Sequence, residues 1–236
     1  MSWNGKQKMG HVERHSKRRS RARRGLAFVV AGLALSGCIN LNEYGKVAPY
    51  HRDSLAKIPV QLPPGAPSIS NQFLEATRDG EKGHLGLDIA APVGTPVLAA
   101  APGRVYLSYF EPMYGNRIII DHGKGADGRR SFTVYKHLDS RNVADGAAVA
   151  RGQQIGTLGE TGLLSSYPHL HFEVMREKAP GRRVVQGSNW WQGMMQEDPN
   201  LFWAAGPGRP TCANTGAAPA GGQGVLPITY PAACGR

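Results

Sequence analysis

Short runs of β-forming residues, separated by glycine, proline, asparagine and aspartate, follow one another closely between residues 68 and 176. No helical period of apolar residues is sustained anywhere in this stretch. Strands at such close spacing, with turn residues between them, are typical of an all-β sandwich or barrel. The sequence therefore predicts a mainly β fold, an antiparallel β-sandwich or barrel-like domain. The predicted strands are 95–99, 104–110, 117–121, 131–138, 154–158 and 169–175.

The length of the chain, 236 residues of which 41% are apolar, suits one domain with tails at both ends. We place a leader at 1–37, a proline-bearing linker at 38–66, the folded domain at 67–203 and a tail at 204–236. Seven glycines, seven alanines and five prolines lie among the 32 residues from 205 onward, so the tail should be flexible apart from any disulfide. Four aromatic residues near the end of the domain are expected to pack onto it: Trp190, Trp191, Phe202 and Trp203.

The leader has the organisation of a secretory signal peptide. A basic stretch at 1–24 precedes an uncharged apolar run at 25–35, which is shorter than the roughly 20 residues that span a bilayer. The following Leu-Ser-Gly-Cys resembles the lipobox of bacterial lipoproteins, which implies that Cys38 is acylated and becomes the first mature residue. An ordinary signal peptide with an unrelated cysteine is the alternative. Because Ile39 follows the cysteine, we expect a protein anchored in the outer membrane and facing the periplasm, if the host is Gram-negative.

The positive charge of the chain does not indicate a nucleic-acid binder. The formal net charge is +11, but residues 1–24 hold nine basic side chains and one acidic side chain. The remaining residues hold 19 basic and 16 acidic side chains, and no basic cluster is interleaved with aromatic residues. Nucleic acid is therefore not an expected partner.

Three cysteines are an odd number, so at least one has no partner within the chain. Assigning Cys38 to a lipid leaves Cys212 and Cys234 as a candidate disulfide in an oxidising compartment. The pairing agrees with export.

Two short segments carry histidine and aspartate at spacings that suit a metal ion. His84 and Asp88 stand four residues apart, which brings both to one face of a strand, although a hydrogen-bonded surface pair is the other interpretation. His169 and His171 alternate with apolar residues, so a strand sends both imidazoles to one face. Two adjacent imidazoles rarely serve packing, because each needs its own hydrogen-bond partner. We therefore interpret the second pair as functional.

Other polar residues lie on or beside the predicted strands. Tyr135 and His137 are expected on one face of their strand, and His137 would add acid/base capacity to a site that already has four candidate groups. Catalytic zinc needs only three protein ligands and a water. Glu173 shares the face of the second histidine pair; it either orients an imidazole or, in the preferred interpretation, is solvated. His122 follows a strand at a glycine turn and is interpreted as structural.

Six motifs follow one another along the chain: GHLGLD, PVGTPV, YGNRIIIDHG, VYKHL, GETG and HLHFEV. Together they resemble the LytM/lysostaphin-type zinc metalloendopeptidases of the M23 peptidase family. The resemblance covers roughly residues 66 to 178. It implies that His84, Asp88 and His171 ligate zinc and that His137 and His169 are the catalytic pair. One departure is the segment from Ser70 to Glu75, which lacks the glycine of the family's Ser-x-Phe-Gly-x-Arg stretch.

The resemblance implies a zinc-dependent hydrolase of peptide cross-links in bacterial peptidoglycan, and export with direct cross-links favours a D,D-endopeptidase. A second hypothesis is a non-catalytic family member that regulates peptidoglycan amidases, with such cell-wall enzymes as partners. The presence of all five site residues favours the enzyme. A third hypothesis is a wall-binding module without metal.

Overall fold

The structure is a computed structural model that describes residues 58–75, 83–181, 191–213 and 226–235. The leader, the lipid-anchor candidate Cys38, most of the linker and Trp190 lie outside the described residues. Their assignments therefore stay predictions. Within the described part of the chain, no helix is long and apolar enough to cross a membrane.

The described residues form ten strands and one short 3₁₀ helix, Pro199–Leu201, which confirms the mainly β prediction. All strand pairs are antiparallel. The strands are β1 Ser68–Asn71, β2 Leu87–Ala90, β3 Pro96–Leu98, β4 Gly103–Glu111, β5 Gly115–Lys124, β6 Arg130–Arg141, β7 Ala148–Val149, β8 Gln154–Leu158, β9 His169–Glu177 and β10 Met194–Glu197.

The strands form one open sheet in the order β1-β2-β9-β6-β5-β4-β7. Strand β9 lies in its interior: β6 pairs along one edge, while β2 and then β10 pair along the other. Strand β8 pairs with the end of β6 and also with β3. The three segments that carry the predicted site residues, β2, β9 and β6, are therefore neighbours in the sheet.

Apolar side chains cover both faces of the central strands. The main cluster includes Ile118, Ile120, Tyr135 and Phe172, while Ile119 belongs to a second, smaller cluster. Alternate residues of a strand point to opposite faces, so the continuous run Ile118–Ile120 serves both clusters. A strand buried on both faces is held rigidly, which suits the positioning of functional groups at its end.

The described parts of the C-terminal segment are more ordered than their composition predicts. Ile228 and Tyr230 are fully buried, and the Tyr230 hydroxyl donates a hydrogen bond of 2.6 Å to the Pro67 carbonyl. Cys212 and Cys234 form a disulfide. The described parts of this segment, 204–213 and 226–235, thus pack against the domain, because its few large apolar residues enter the main cluster.

The aromatic residues before this segment divide into two groups. Phe202 and Trp203 are buried in the main cluster, as predicted. The prediction is wrong for Trp191, which is 54% exposed. Trp191 lies in the turn before β10, outside the sheet.

Candidate active site

The pairing of β2 with β9 brings Asp88 directly opposite His171, and Ala90 opposite His169. Facing residues of an antiparallel pair carry side chains on the same side of the sheet. His84 lies before β2 and is held by an isolated bridge to Leu74, through two backbone hydrogen bonds of 2.8 Å. We call His84, Asp88 and His171 the ligand triad.

One donor atom from each member of the ligand triad converges on a single point. His84 Nε2 lies 3.1 Å from Asp88 Oδ1 and 3.2 Å from His171 Nδ1, and the last two atoms are 2.8 Å apart. Tetrahedral zinc with bonds of 2.0–2.1 Å separates its ligand atoms by about 3.3 Å. The three donors therefore have the spacing of one face of a zinc tetrahedron, and they form a group that could hold a metal ion.

Each imidazole of the triad has an inner nitrogen, which faces the other two ligands, and an outer nitrogen, which faces away from them. Each outer nitrogen bonds to an oxygen that can only accept. His84 Nδ1 donates to the Gln72 carbonyl over 2.8 Å, and His171 Nε2 donates to the Glu173 carboxylate over 3.0 Å. In the neutral rings the inner nitrogens consequently present lone pairs. Two lone pairs and a carboxylate in mutual contact repel one another unless a cation lies between them, so these residues fit a zinc ion.

Titration of the triad also indicates a site for positive charge. Burial alone would raise the pKa of Asp88, but its contacts with His171 and His84 hold that pKa well below the usual 3.8. Burial lowers the pKa of His171, yet the neighbouring carboxylates of Asp88 and Glu173 outweigh it and the pKa lies above the usual 6.5. A proton and a metal ion therefore compete for the same place.

A buried ion pair supports the triad from behind. Glu173 is only 3% exposed and pairs with the ammonium group of Lys136 as well as with His171. The preferred expectation of a solvated Glu173 is wrong, because Lys136 on the adjacent strand neutralises it. Burial alone would raise the pKa of Glu173, but the charge of Lys136 and the hydrogen bond with His171 lower it to about 2, so the carboxylate stays ionised. An ionised carboxylate on its outer nitrogen makes an imidazole a better metal ligand.

The motif glycine Gly86 leaves room for this arrangement. A β-carbon at this position would lie 2.5 Å from the Phe172 carbonyl oxygen and 2.9 Å from His171 Nε2. Both distances are far below van der Waals contact. Any larger residue would therefore displace the His171 ring or strand β9.

Two further imidazoles, His137 and His169, which we call the histidine pair, lie beside the triad. Their ring centroids are 4.7 Å apart, and His169 Nε2 lies 3.7 Å from Asp88 Oδ1. His137 Nδ1 donates to the Thr161 carbonyl over 2.8 Å, and His169 Nδ1 donates to the Tyr167 carbonyl over 2.7 Å. Burial lowers the pKa of His137 from 6.5 to about 4 and also lowers the pKa of His169. Both rings are therefore neutral at pH 7 and have Nε2 available to accept a proton.

The backbone of His137 is left-handed, with φ of +63°, and among the described residues other than glycine it alone has a positive φ. The register between β5 and β6 shifts at this point, so Lys136 and His137 together form a bulge. Tyr135 faces Phe172 in the core, with ring centroids 5.3 Å apart. The expectation that Tyr135 and His137 share a face is therefore wrong: the bulge turns His137 out of the alternation and towards His169.

Sequence reasoning did not assign roles to several residues that contact the site. The Tyr167 ring stacks on His169 at 4.5 Å, and its hydroxyl is 2.9 Å from Ser70 Oγ. Asn71 Nδ2 donates to Asp88 Oδ2 over 3.2 Å. The contacts of Tyr167 with Ser70 and of Asn71 with Asp88 join residues distant in the chain, so no local pattern indicates them. His122 contacts the Pro102 carbonyl and the Thr133 hydroxyl, as expected of a structural histidine.

Comparison with known proteins finds one family model and several peptidases that resemble this chain. Residues 82–183 match the family model for Peptidase family M23. Peptidoglycan DD-endopeptidase ShyC of Vibrio cholerae is 44% identical over 94 residues, which cover 40% of this chain and 20% of ShyC. The lipoprotein YgeR of Escherichia coli is 40% identical over 100 residues, which cover 42% of this chain and 36% of YgeR. A solved zinc-containing peptidase from Vibrio cholerae is 35% identical, covering 50% of this chain and 35% of that chain, with a TM-score of 0.41. The chain thus spans well under half of each of these relatives.

Proposed function

We propose that this chain, whose residues 82–183 match the family model for Peptidase family M23, is a zinc-dependent endopeptidase that hydrolyses peptide cross-links of bacterial peptidoglycan. One observation carries the proposal: three metal-donor atoms converge within 3.2 Å of one another, and two neutral imidazoles lie beside them. A metal-binding protein without hydrolytic function has no need of the second feature. The name of ShyC supports peptidoglycan as the substrate.

The ligand triad would hold the zinc ion through His84 Nε2, Asp88 Oδ1 and His171 Nδ1. Three protein ligands leave one coordination position open, as in catalytic zinc sites. Zinc bound there would lower the pKa of a coordinated water from 15.7 toward about 7 and would polarise the carbonyl of the scissile bond. The triad's own part is to fix the position of that chemistry relative to the histidine pair.

The histidine pair would move the proton that hydrolysis transfers from water to the leaving amine. Both rings hold their Nδ1 proton on a backbone carbonyl, so each enters the reaction with Nε2 as an acceptor. One ring takes the proton of the attacking water, and the same proton is then delivered to the amine nitrogen as the peptide bond breaks. The second ring accepts a hydrogen bond from the attacking water or shares this transfer. The geometry supports both divisions of labour between His137 and His169.

The predicted leader indicates where in the cell the protein acts. We propose that a lipid on Cys38 anchors the protein in the cell envelope, in the outer membrane facing the periplasm. The tether is shorter than the predicted linker 38–66, because Val60, Leu62 and Ala66 pack against the main cluster. The description of YgeR as a lipoprotein supports this proposal. Direct cross-links between stem peptides are the expected substrate in that location, so the proposed activity is that of a D,D-endopeptidase.

Metal analysis followed by digestion of purified cross-linked muropeptides tests the proposal. We expect about one zinc ion per chain and conversion of cross-linked dimers to monomers, and a chelator should abolish this conversion until zinc is restored. A protein that releases no monomers but activates an added peptidoglycan amidase would instead be a regulator. A protein that binds sacculi without metal would be a wall-binding module.

A further inference from the structure

A buried asparagine outside the catalytic cluster connects to the ligand His84 through two hydrogen bonds. We propose that Asn200 is a positioning residue, which fixes the side chain of Gln72 and thereby the carbonyl that holds the His84 ring. The inference rests on the proposed function in taking His84 as a zinc ligand. It gives a role in metal binding to the segment after β10, which contains none of the family motifs.

The connection runs through two buried residues. Asn200 Nδ2 donates to Gln72 Oε1 over 2.9 Å, and the Gln72 carbonyl accepts from His84 Nδ1 over 2.8 Å. Asn200 is 1% exposed and Gln72 is 7% exposed. Hydrogen bonds between buried groups are costly to break, because no water replaces the lost partner. The position of Gln72 is therefore tied to that of Asn200.

The direction of the first hydrogen bond is fixed by a third residue. The indole Nε1 of Trp203 lies 3.1 Å from Asn200 Oδ1, and an indole nitrogen can only donate. The oxygen of the Asn200 amide must therefore face Trp203, which directs its NH₂ group at Gln72. Because Trp203 is itself buried in the main cluster, the amide has one orientation.

The backbone of Asn200 is also held in place. Its N–H donates to the Asp198 side chain over 2.9 Å, and its carbonyl accepts from the Gly208 N–H over 2.9 Å. Residues on both sides of Asn200 thus fix it within the 3₁₀ helix. A group anchored in this way can determine where Gln72 lies, whereas a mobile surface group could not.

His84 is the member of the ligand triad that most needs such support. Asp88 and His171 lie on paired strands, but within the described residues the backbone of His84 has only the bridge to Leu74, and Gln72 lies just beyond the end of β1. Neither residue is positioned by a continuous ladder of backbone hydrogen bonds. The link to Asn200 supplies the constraint that the sheet provides for the other two ligands.

Zinc affinity in the full-length protein tests the inference with the variants Asn200→Leu and Gln72→Met, which each remove the link and keep a similar volume. We expect each to weaken zinc binding about tenfold, at the low end of effects seen when groups behind a ligand are lost. The double variant should be no weaker than either single one, because both remove the same link. Tyr230→Phe is the control, since it removes a hydrogen bond of the chain after β10 that ends on the Pro67 carbonyl, not on Gln72 or His84.

Chelator competition measures the zinc affinity, and the visible absorption of the cobalt-substituted protein reports the geometry of the site. Unchanged affinity and absorption in Asn200→Leu and Gln72→Met, with folding verified by thermal unfolding, would overturn the inference. So would an equal loss in Tyr230→Phe. Neither measurement uses substrate, so a protein that binds zinc but cuts nothing would refute the peptidase and leave this test intact.

A measurement on the metal-free protein tests the inference even if the unaltered protein binds no zinc. Nitrogen-15 NMR of the metal-free protein distinguishes the Nδ1–H form of the His84 ring, which the Gln72 carbonyl enforces, from the alternative tautomer. Loss of that preference in both single variants, and not in Tyr230→Phe, supports the inference. Its retention in both overturns it.

Discussion

Asp88 and His171 reach the site from facing positions on two regularly paired strands, whereas His137 reaches it from a bulge where its backbone is left-handed. The first arrangement needs only the alternation of side chains along β2 and β9. The second departs from that alternation at a backbone cost of about 1–3 kcal/mol, which the surrounding sheet must offset. The two parts of the site are thus built by different means, and we expect substitutions to separate metal binding from proton transfer.

Removing a ligand should have the largest effect. His171→Ala deletes one of the three converging donors and leaves Asp88 and Glu173 without their shared partner. We expect loss of bound zinc, measured by metal analysis, and hydrolysis at the level of chelator-treated protein. His122→Gln serves as the control, because it removes a histidine whose partners Pro102 and Thr133 lie outside the triad. Normal turnover by His171→Ala would refute the ligand assignment.

Removing a member of the histidine pair should slow proton transfer and keep the metal. For His169→Ala we expect a fall of about 10²–10⁴ in kcat, the usual contribution of a general acid or base. Zinc content and affinity should stay those of the unaltered protein, since His169 is not among the converging donors. If zinc were lost together with activity, the separation between ligand triad and histidine pair would be wrong.

The same contrast explains what the sequence could predict. The spacing of His84 to Asp88 and of His169 to His171 indicates shared faces, and the family resemblance adds the ligand roles. The alternation rule fails at His137, because the bulge depends on the pairing of β6 with β5 rather than on local residues. The burial of Glu173 depends on Lys136 from another strand, and that of Tyr230 on packing with the main cluster. Long-range contacts of this kind leave no periodic pattern.

An intermediate effect is expected from the support behind the triad. Glu173→Gln keeps an oxygen near His171 Nε2 but removes the charge that Lys136 and His171 share. We expect zinc affinity to fall about 10–100-fold, as is usual when such a carboxylate is lost. Glu177→Gln is the matched control, because Glu177 is a buried carboxylate on the same strand that accepts instead from the Arg130 backbone. Equal affinities in the two variants would mean that Glu173 does not tune the ligand.

The smallest expected effect concerns the backbone of His137 and is measured as stability. Alanine in a left-handed conformation is strained by roughly 1–2 kcal/mol, whereas glycine adopts it freely. We therefore expect His137→Gly to be more stable than His137→Ala by about 1 kcal/mol in denaturant unfolding, although both lack the imidazole. At Ser140, on the same strand without a positive φ, the order should reverse, because glycine weakens a regular strand. The same order at both positions would show that no left-handed bulge turns His137 towards the site.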